Sequence, residues 1–385
     1  MSGVRVAVSG VGAISALGLD SVSFARHLRA GTSAVKTGGK LARWGLEQYP
    51  SADVAGELRT DQLAVCAARE AIDMAKLGAR ERQQLAVVVG TTTGGIASSE
   101  SWLLDGAPAS VLECHRLCAV ADQVAHAVGA GGLRLTTANA CAASASAIAR
   151  GVDLLAGGVA DAVLVGGADA LCRVTSWGFA SLRLLSDTVC RPFHQRRSGL
   201  NLGEGAAFLL LEPAARAKRR AVRPLAWLLG CGESCDGYHR TAPAPDAQLA
   251  QRAVVQALQR AGVSASQIGY VNAHGTGTQQ NDAAEATLLS AIFAGRCPAV
   301  SSIKPAIGHT LGAAGALEAV ASVLGLRDQF LPWVSLPPLV GDRPLDDAIG
   351  WIGRVTERPV EFALSLSFAF GGSNAALVFG RADAF

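Results

Sequence analysis

The chain has 385 residues, of which 50% are hydrophobic and 17% charged, with a formal net charge of +3. That length supports a large buried core in one big or two ordinary domains, and the composition is globular rather than disordered. So small a net charge, with no basic block interleaved with aromatics, argues against nucleic acid, and no apolar run of about 18 residues offers a membrane span.

The opening run VAVSGVGAISALG reads as a strand over residues 4–9 followed by a tight turn at Gly10. It lacks the third glycine of a dinucleotide loop, and its glycines interrupt any secretory apolar core. Helices are expected over 20–29 and 61–76, strands over 85–90 and 133–138, a helix over 142–155 and a strand over 162–165. Strands over 206–211, 224–229 and 269–273 follow, with helices over 247–261, 282–294 and 311–326. This alternation defines an α/β chain. The 44 glycines imply tight turns and close packing between elements.

The best internal boundary is the charged helix end RAKRRAVR, which holds Arg216, Lys218, Arg219, Arg220 and Arg223 and divides the chain into 1–221 and 222–385. A short strand followed by a small-residue helix occurs in each half, as TTANACAASASAIARGVDLL and as SSIKPAIGHTLGAAGALEAV. That repetition suggests a duplicated α/β unit whose paired helices meet at the centre and bring functional groups at their N-termini together.

Cys141 falls where a β-rich run gives way to small helix-compatible residues. At the first turn of a helix, free backbone N–H groups and the helix dipole favour thiolate over thiol. His274 in VNAHGTGT, and Lys304 and His309 in SSIKPAIGHTLGAAGA, are its expected partners in an acyl-transfer site. Taken singly, such a cysteine is usually a small core hydrophobe and such histidines are hydrogen-bonded core residues, so the set carries the reading. Nine cysteines, an odd number in apolar stretches, indicate reduced thiols and a cytoplasmic address. The groups Cys231, Cys235, His239 and Cys114, His115, Cys118 lack the spacing of common zinc sites, and no metal is expected.

The segments TANACAAS, GEGAAFLLLE, VNAHGTGTQQNDAAEA, SSIKPAIGHTLGAAGALE and SFAFGGSNAA, in this order, resemble those of the elongating β-ketoacyl-acyl carrier protein synthases, decarboxylating condensing enzymes of the thiolase superfamily. The resemblance runs over nearly the whole chain. It implies a thiolase-like five-layered αβαβα fold built from two duplicated halves. It also implies a homodimer, or a heterodimer with a homologous condensing-enzyme subunit, and no cofactor, the substrates riding on the phosphopantetheine arm of acyl carrier protein. Cys141 would be acylated. His274 and His309 would stabilise the enolate formed as a malonyl thioester loses CO₂, and the backbone N–H groups of Cys141 and Phe370 would form the oxyanion hole. Lys304 and Glu285 would be an orienting pair, Thr276 and Thr278 would hold the phosphopantetheine, and Phe370 would gate the acyl pocket.

Two positions depart from the family pattern. Ala369 stands where glycine commonly precedes the gating phenylalanine, which shifts the hinge to Gly371 and Gly372 or restricts the loop. His194 stands where an aspartate is usual, and an acidic residue is missing near Ser198, so an ion pair with Arg197 is expected to be lost. The basic cluster at the boundary, or Arg191 and Arg196, could attract an acidic carrier protein. Rival readings are a non-catalytic chain-length-factor subunit, which normally lacks the cysteine; an initiating synthase or a thiolase; and a cysteine hydrolase.

Overall fold

The structure, a computed structural model, describes residues 5–294, 298–333, 345, 350–351 and 359–383. Five strands come from the first half of the chain: β1 (Val6–Ser15), β2 (Ala86–Gly90), β3 (Arg134–Thr137), β4 (Val163–Asp169) and β5 (Gly205–Pro213). Five more come from the second: β6 (Ala226–Cys235), β7 (Ile268–Asn272), β8 (Ala299–Ser301), β9 (Phe362–Phe368) and β10 (Ser373–Arg381), and a two-residue strand, Gly350–Trp351, pairs parallel with β8 at that edge of the sheet. From the centre outward the order is β1-β5-β4-β2-β3 in one half and β6-β10-β9-β7-β8 in the other. In each half the first two pairings are antiparallel and the last two parallel. The topology of these ten strands therefore repeats strand for strand. The halves join where Val6–Val8 of β1 pair antiparallel with Ala226–Leu228 of β6.

Seven of the helices frame the sheet and the site: α1 (Thr60–Ala75), α2 (Leu117–Val128), α3 (Ala143–Ala156), α4 (Arg173–Ser181), α5 (Gln248–Ala261), α6 (Gln279–Phe293) and α7 (Ala314–Asp328). Strand residues alternate between two cores, as the two-residue period of a strand requires. In β5, Ala207, Leu209 and Leu211 face the central core with α3 and α7, while Ala206, Phe208 and Leu210 face the outer core with α1 and α2. In β10, Ala375, Leu377 and Phe379 face the centre, and Ala376 and Val378 face α5 and α6. The result is five layers, α-β-α-β-α. The central helix α7 is buried on all sides from Ala314 to Leu326, which is why its sequence is apolar all round.

The GVG segment is not a turn. Strand β1 continues to Ser15 with a register irregularity between Val8 and Gly10. Its glycines serve packing against α1: a Cβ on Gly10 would lie 2.2 Å from the Ala71 carbonyl oxygen, and one on Gly12 would lie 2.0 Å from that of Ala67. The second half repeats the device, with Gly230 and Gly232 against Ala257 and Ala253 of α5 at 2.1 and 1.9 Å. Because backbone cannot retreat like a side chain, Gly12→Ala or Gly232→Ala should each destabilise the fold by about 3 kcal/mol. A shift of the urea midpoint at unchanged slope measures this.

Candidate active site

Cys141 lies in a 3₁₀ turn, Ala140–Ala142, that leads into α3, and Ala140 adopts a left-handed conformation with φ 51°. The matching turn in the other half, Leu311–Ala313, leads into α7 and places Leu311 at the same φ of 51°. Gly312 is thus the positional counterpart of Cys141. The two helix starts touch: the Ala316 N–H donates to Ser144 Oγ at 2.8 Å, and a Cβ on Gly315 would lie 2.8 Å from that of Ala145. Small residues at these positions are what let the two helices meet.

One cleft of about 580 Å³, including the space at its open mouth, is lined by Cys141, His274, His309, Thr276, Thr278 and Phe370 together. Its apolar side carries Phe179 of α4, Leu184 and Leu200. The sequence-selected nucleophile and both imidazoles therefore share one space. The histidine rings meet edge to face with centroids 5.4 Å apart, and Phe368 closes on His274 at 5.8 Å.

Behind His274 stands Lys304. Its Nζ donates to the His274 carbonyl oxygen, approaches His274 Nδ1 at 3.2 Å and forms an ion pair with Glu318. An ammonium at Nδ1 assigns the imidazole proton to Nε2. Burial, with the Lys304 charge beside them, holds both histidines well below their usual pKa, so both rings are neutral. His309 is fixed through its backbone: its N–H donates to the Asn201 carbonyl at 2.7 Å, and its own carbonyl accepts from the Gly203 N–H at 3.0 Å.

The carboxylate partnered with Lys304 is Glu318, not Glu285. Glu285 sits on α6 and accepts the backbone N–H groups of His274 at 2.7 Å and Gly275 at 2.8 Å. Burial pushes its pKa up to about 8. Its role is to hold the 274–275 backbone. Glu318 was missed, although a signal existed: it is the single carboxylate amid the apolar residues 314–326 of α7, and a buried acid demands a partner. Burial raises its pKa, while Lys304 opposes that shift.

The thiol also differs from the expectation of a lowered pKa. Cys141 is 6% exposed. Burial dominates and, with Asp169 and Glu318 adding to it, pushes the thiol up to about 12 against the opposing charge of Lys304.

Thr276 and Thr278 share a hydroxyl hydrogen bond at 2.9 Å at the head of α6. Phe370 stacks on Phe179, centroids 5.7 Å apart. Ala369 is extended, with φ −141° and ψ 155°, which alanine adopts freely, and the left-handed conformations fall on Gly371 and Gly372 at φ 83° and 85°. The left-handed conformations of this loop thus fall on those two glycines and not on residue 369.

Residues 59–217 match the family described as Beta-ketoacyl synthase, N-terminal domain, and residues 225–335 match Beta-ketoacyl synthase, C-terminal domain. A 3-oxoacyl-[acyl-carrier-protein] synthase 2 of Staphylococcus aureus is 32% identical over 417 aligned positions that cover 99% of each chain. The chain belongs to the β-ketoacyl synthase family. A Mycobacterium bovis protein of the same name is 40% identical over 258 residues, a match spanning 64% of this chain and 61% of that one. Among solved structures, the ishigamide ketosynthase/chain length factor superposes with a TM-score of 0.89 at 31% identity, covering 98% of this chain and 99% of that one.

In this synthase Arg197 does not lose its ion pair. Asp282 of α6 supplies the carboxylate at 3.8 Å, and the guanidinium also donates to the carbonyls of His194, Thr278 and Gln279. The same Asp282 accepts the Phe193 N–H at 2.7 Å. The boundary cluster is partly spent internally, because Arg216 and Arg220 both pair with Glu212 and Glu81. Among the described residues, no group of three or more His, Cys, Asp or Glu is arranged to hold a metal, and no helix is long and apolar enough to cross a membrane.

Proposed function

We propose that this synthase takes an acyl chain from acyl carrier protein onto Cys141, then condenses it with a decarboxylated malonyl unit to extend the chain by two carbons. Sulfur attack on the carrier thioester forms the Cys141 acyl bond and releases the carrier thiol with the proton. Malonyl carrier protein then loses CO₂, its enolate carbon attacks the acyl carbonyl, and collapse breaks the C–S bond to expel the Cys141 thiolate, which takes up one proton from solvent. The product is a β-ketoacyl thioester on the carrier.

The observation that carries this reading is the convergence of one sulfur and two neutral imidazoles on a single cleft. A neutral imidazole can donate one N–H to the developing enolate oxygen without first losing a charge to solvent. Lys304 aims the His274 proton into the cleft by occupying Nδ1. The Cys141 and Phe370 backbone N–H groups serve the acyl-transfer oxyanion, and removing one such donor would cost roughly 3 kcal/mol. Thr276 and Thr278 hold the phosphopantetheine arm in the polar part of the cleft, Glu285 fixes the 274–275 backbone, and Phe370 gates the side that Phe179, Leu184 and Leu200 line.

The printed name of the Staphylococcus aureus relative supports acyl carrier protein as the partner, and the ketosynthase/chain length factor pair supports either a homodimer or a heterodimer with a homologous subunit. Eight described cysteines are free thiols, which supports a reducing, cytoplasmic address. The repeated strand order supports a boundary between residues 221 and 222.

Incubation with acyl carrier protein thioesters should add the acyl mass to the peptide containing Cys141, and Cys141→Ala should abolish both that label and condensation. His274→Ala and His309→Ala should retain acylation better than condensation. Release of free acid without an elongated product would favour a hydrolase and overturn the reading.

A further inference from the structure

The turn that matches the Cys141 turn in the other half is already occupied by an anion from within the protein. Asp169, at the end of β4, is wholly buried and places Oδ2 2.6 Å from the Gly312 N–H and 2.9 Å from the Thr92 N–H. Its Oδ1 accepts the Thr93 N–H at 2.9 Å and the Thr91 and Thr93 hydroxyls, each at 2.7 Å. Gly312 is the counterpart of Cys141, so this carboxylate oxygen lies against the N–H that corresponds to Cys141's own. A Cβ on Gly312 would lie 2.6 Å from Asp169 Oδ2, which explains why glycine replaces cysteine here. At the corresponding strand end, Phe368, the last residue of β9, and Ala369 after it bring no carboxylate, and the substrate cleft opens there.

From this geometry we infer that Asp169 is a positioning residue for His309: by filling the oxyanion-like place of the unused half-site, it locks the 309–312 turn against the Thr91–Thr93 loop. The inference rests on the condensing role proposed above for His309. His309 is three residues from Gly312, and Leu311 between them is held at φ 51°, a conformation that needs outside support. The Asn201 and Gly203 contacts fix the His309 end of the turn, and Asp169 fixes the other. Asp169 touches neither substrate nor the His309 ring. Its effect passes through the backbone.

The test is Asp169→Asn in the full chain. The Thr91 and Thr93 hydroxyls can turn to accept from an amide NH₂, so the amide keeps its oxygen on the Gly312 and Thr92 N–H groups only by setting its NH₂ against the Thr93 N–H. Either way round a backbone donor faces a donor, and the clamp between the turn and the Thr91–Thr93 loop is loosened. The kcat of condensation should fall roughly ten- to hundredfold, as for a displaced catalytic group, with KM for malonyl carrier protein unchanged. Acylation of Cys141 should persist. Removing a negative charge near the sulfur should make alkylation of Cys141 by iodoacetamide faster at a fixed pH, whereas general structural damage would slow condensation and acylation together.

Condensation at the wild-type rate, or a parallel loss of condensation and acylation, overturns the inference. If the wild-type chain itself takes no acyl group on Cys141, the proposed function fails instead. Should Asp169→Asn not fold by circular dichroism, Thr93→Val removes one of the five donors and must show the same ordering, slower condensation with acylation intact. Equal slowing of both in that variant also overturns it.

Discussion

Replacing Lys304 with methionine is expected to destabilise the fold by about 3–5 kcal/mol near neutral pH and to abolish condensation, because it leaves Glu318 buried without its cation. The loss should depend on pH in a defined direction. Without Lys304, burial acts on Glu318 with only the Ser367 hydroxyl left to oppose it, so its folded pKa stands further above that of the unfolded chain. Stability is then retained below the unfolded carboxyl value of about 4.3 and declines as pH rises toward the folded pKa. Glu318→Gln in the Lys304→Met background removes the stranded charge and should restore most of the stability, since a buried ion pair exchanged for neutral groups is often energetically even.

Condensation should not return with stability. His274 Nδ1 would still lack the donor that directs its proton to Nε2, and a general acid–base contribution of roughly a hundredfold or more would remain absent. Urea unfolding at pH 5 and pH 8 and a malonyl condensation assay on the single and double variants measure both halves. A double variant that regains condensation would show that Lys304 serves the fold alone.

The sequence made this site legible wherever chemistry and local pattern coincide. Cys141, His274 and His309 could be placed because each precedes or follows a run of small residues that marks a strand-to-helix passage, and all three line the cleft. The wrong carboxylate was chosen for Lys304 because pairing depends on side chains meeting across layers: Glu285 lies on α6, an outer helix, while Glu318 lies on the central α7. The Arg197 ion pair went unforeseen for the same reason, since Asp282 is 85 positions away in sequence, from 282 − 197. The GVG strand was cut short because glycine marks a turn locally, whereas here it makes room for a helix backbone. Helix α2 was not anticipated: Val120, Val124 and Val128 keep helical spacing, but β-branched valines favour strands and the helix start at Arg116 carries no side-chain cap. Duplication was readable as a theme. Its strand-for-strand repetition required the pairing pattern.

Iodoacetamide should label the exposed cysteines Cys66, Cys118 and Cys235 before Cys141 at pH 7, and the Cys141 rate should climb about tenfold per pH unit up to pH 10 without a plateau. A thiol pushed up to about 12 is one part in about 100,000 thiolate at pH 7, against a few per cent for an ordinary thiol of pKa about 8.5. The higher basicity of the anion makes it a better nucleophile and recovers part of that deficit, leaving a difference of about a hundredfold. Opposing influences compete at this sulfur: burial and the carboxylates of Asp169 and Glu318 oppose ionisation, while the Lys304 ammonium and a backbone hydrogen bond favour it. Burial is the largest, which predicts a protonated, protected thiol in the resting enzyme and an ionisation that accompanies attack on a bound thioester. Peptide-resolved labelling from pH 6 to pH 10 decides the matter. Early labelling of Cys141 with an inflection near pH 7 would mean that Lys304 and the helix start outweigh burial, and that the nucleophile is ionised before substrate arrives.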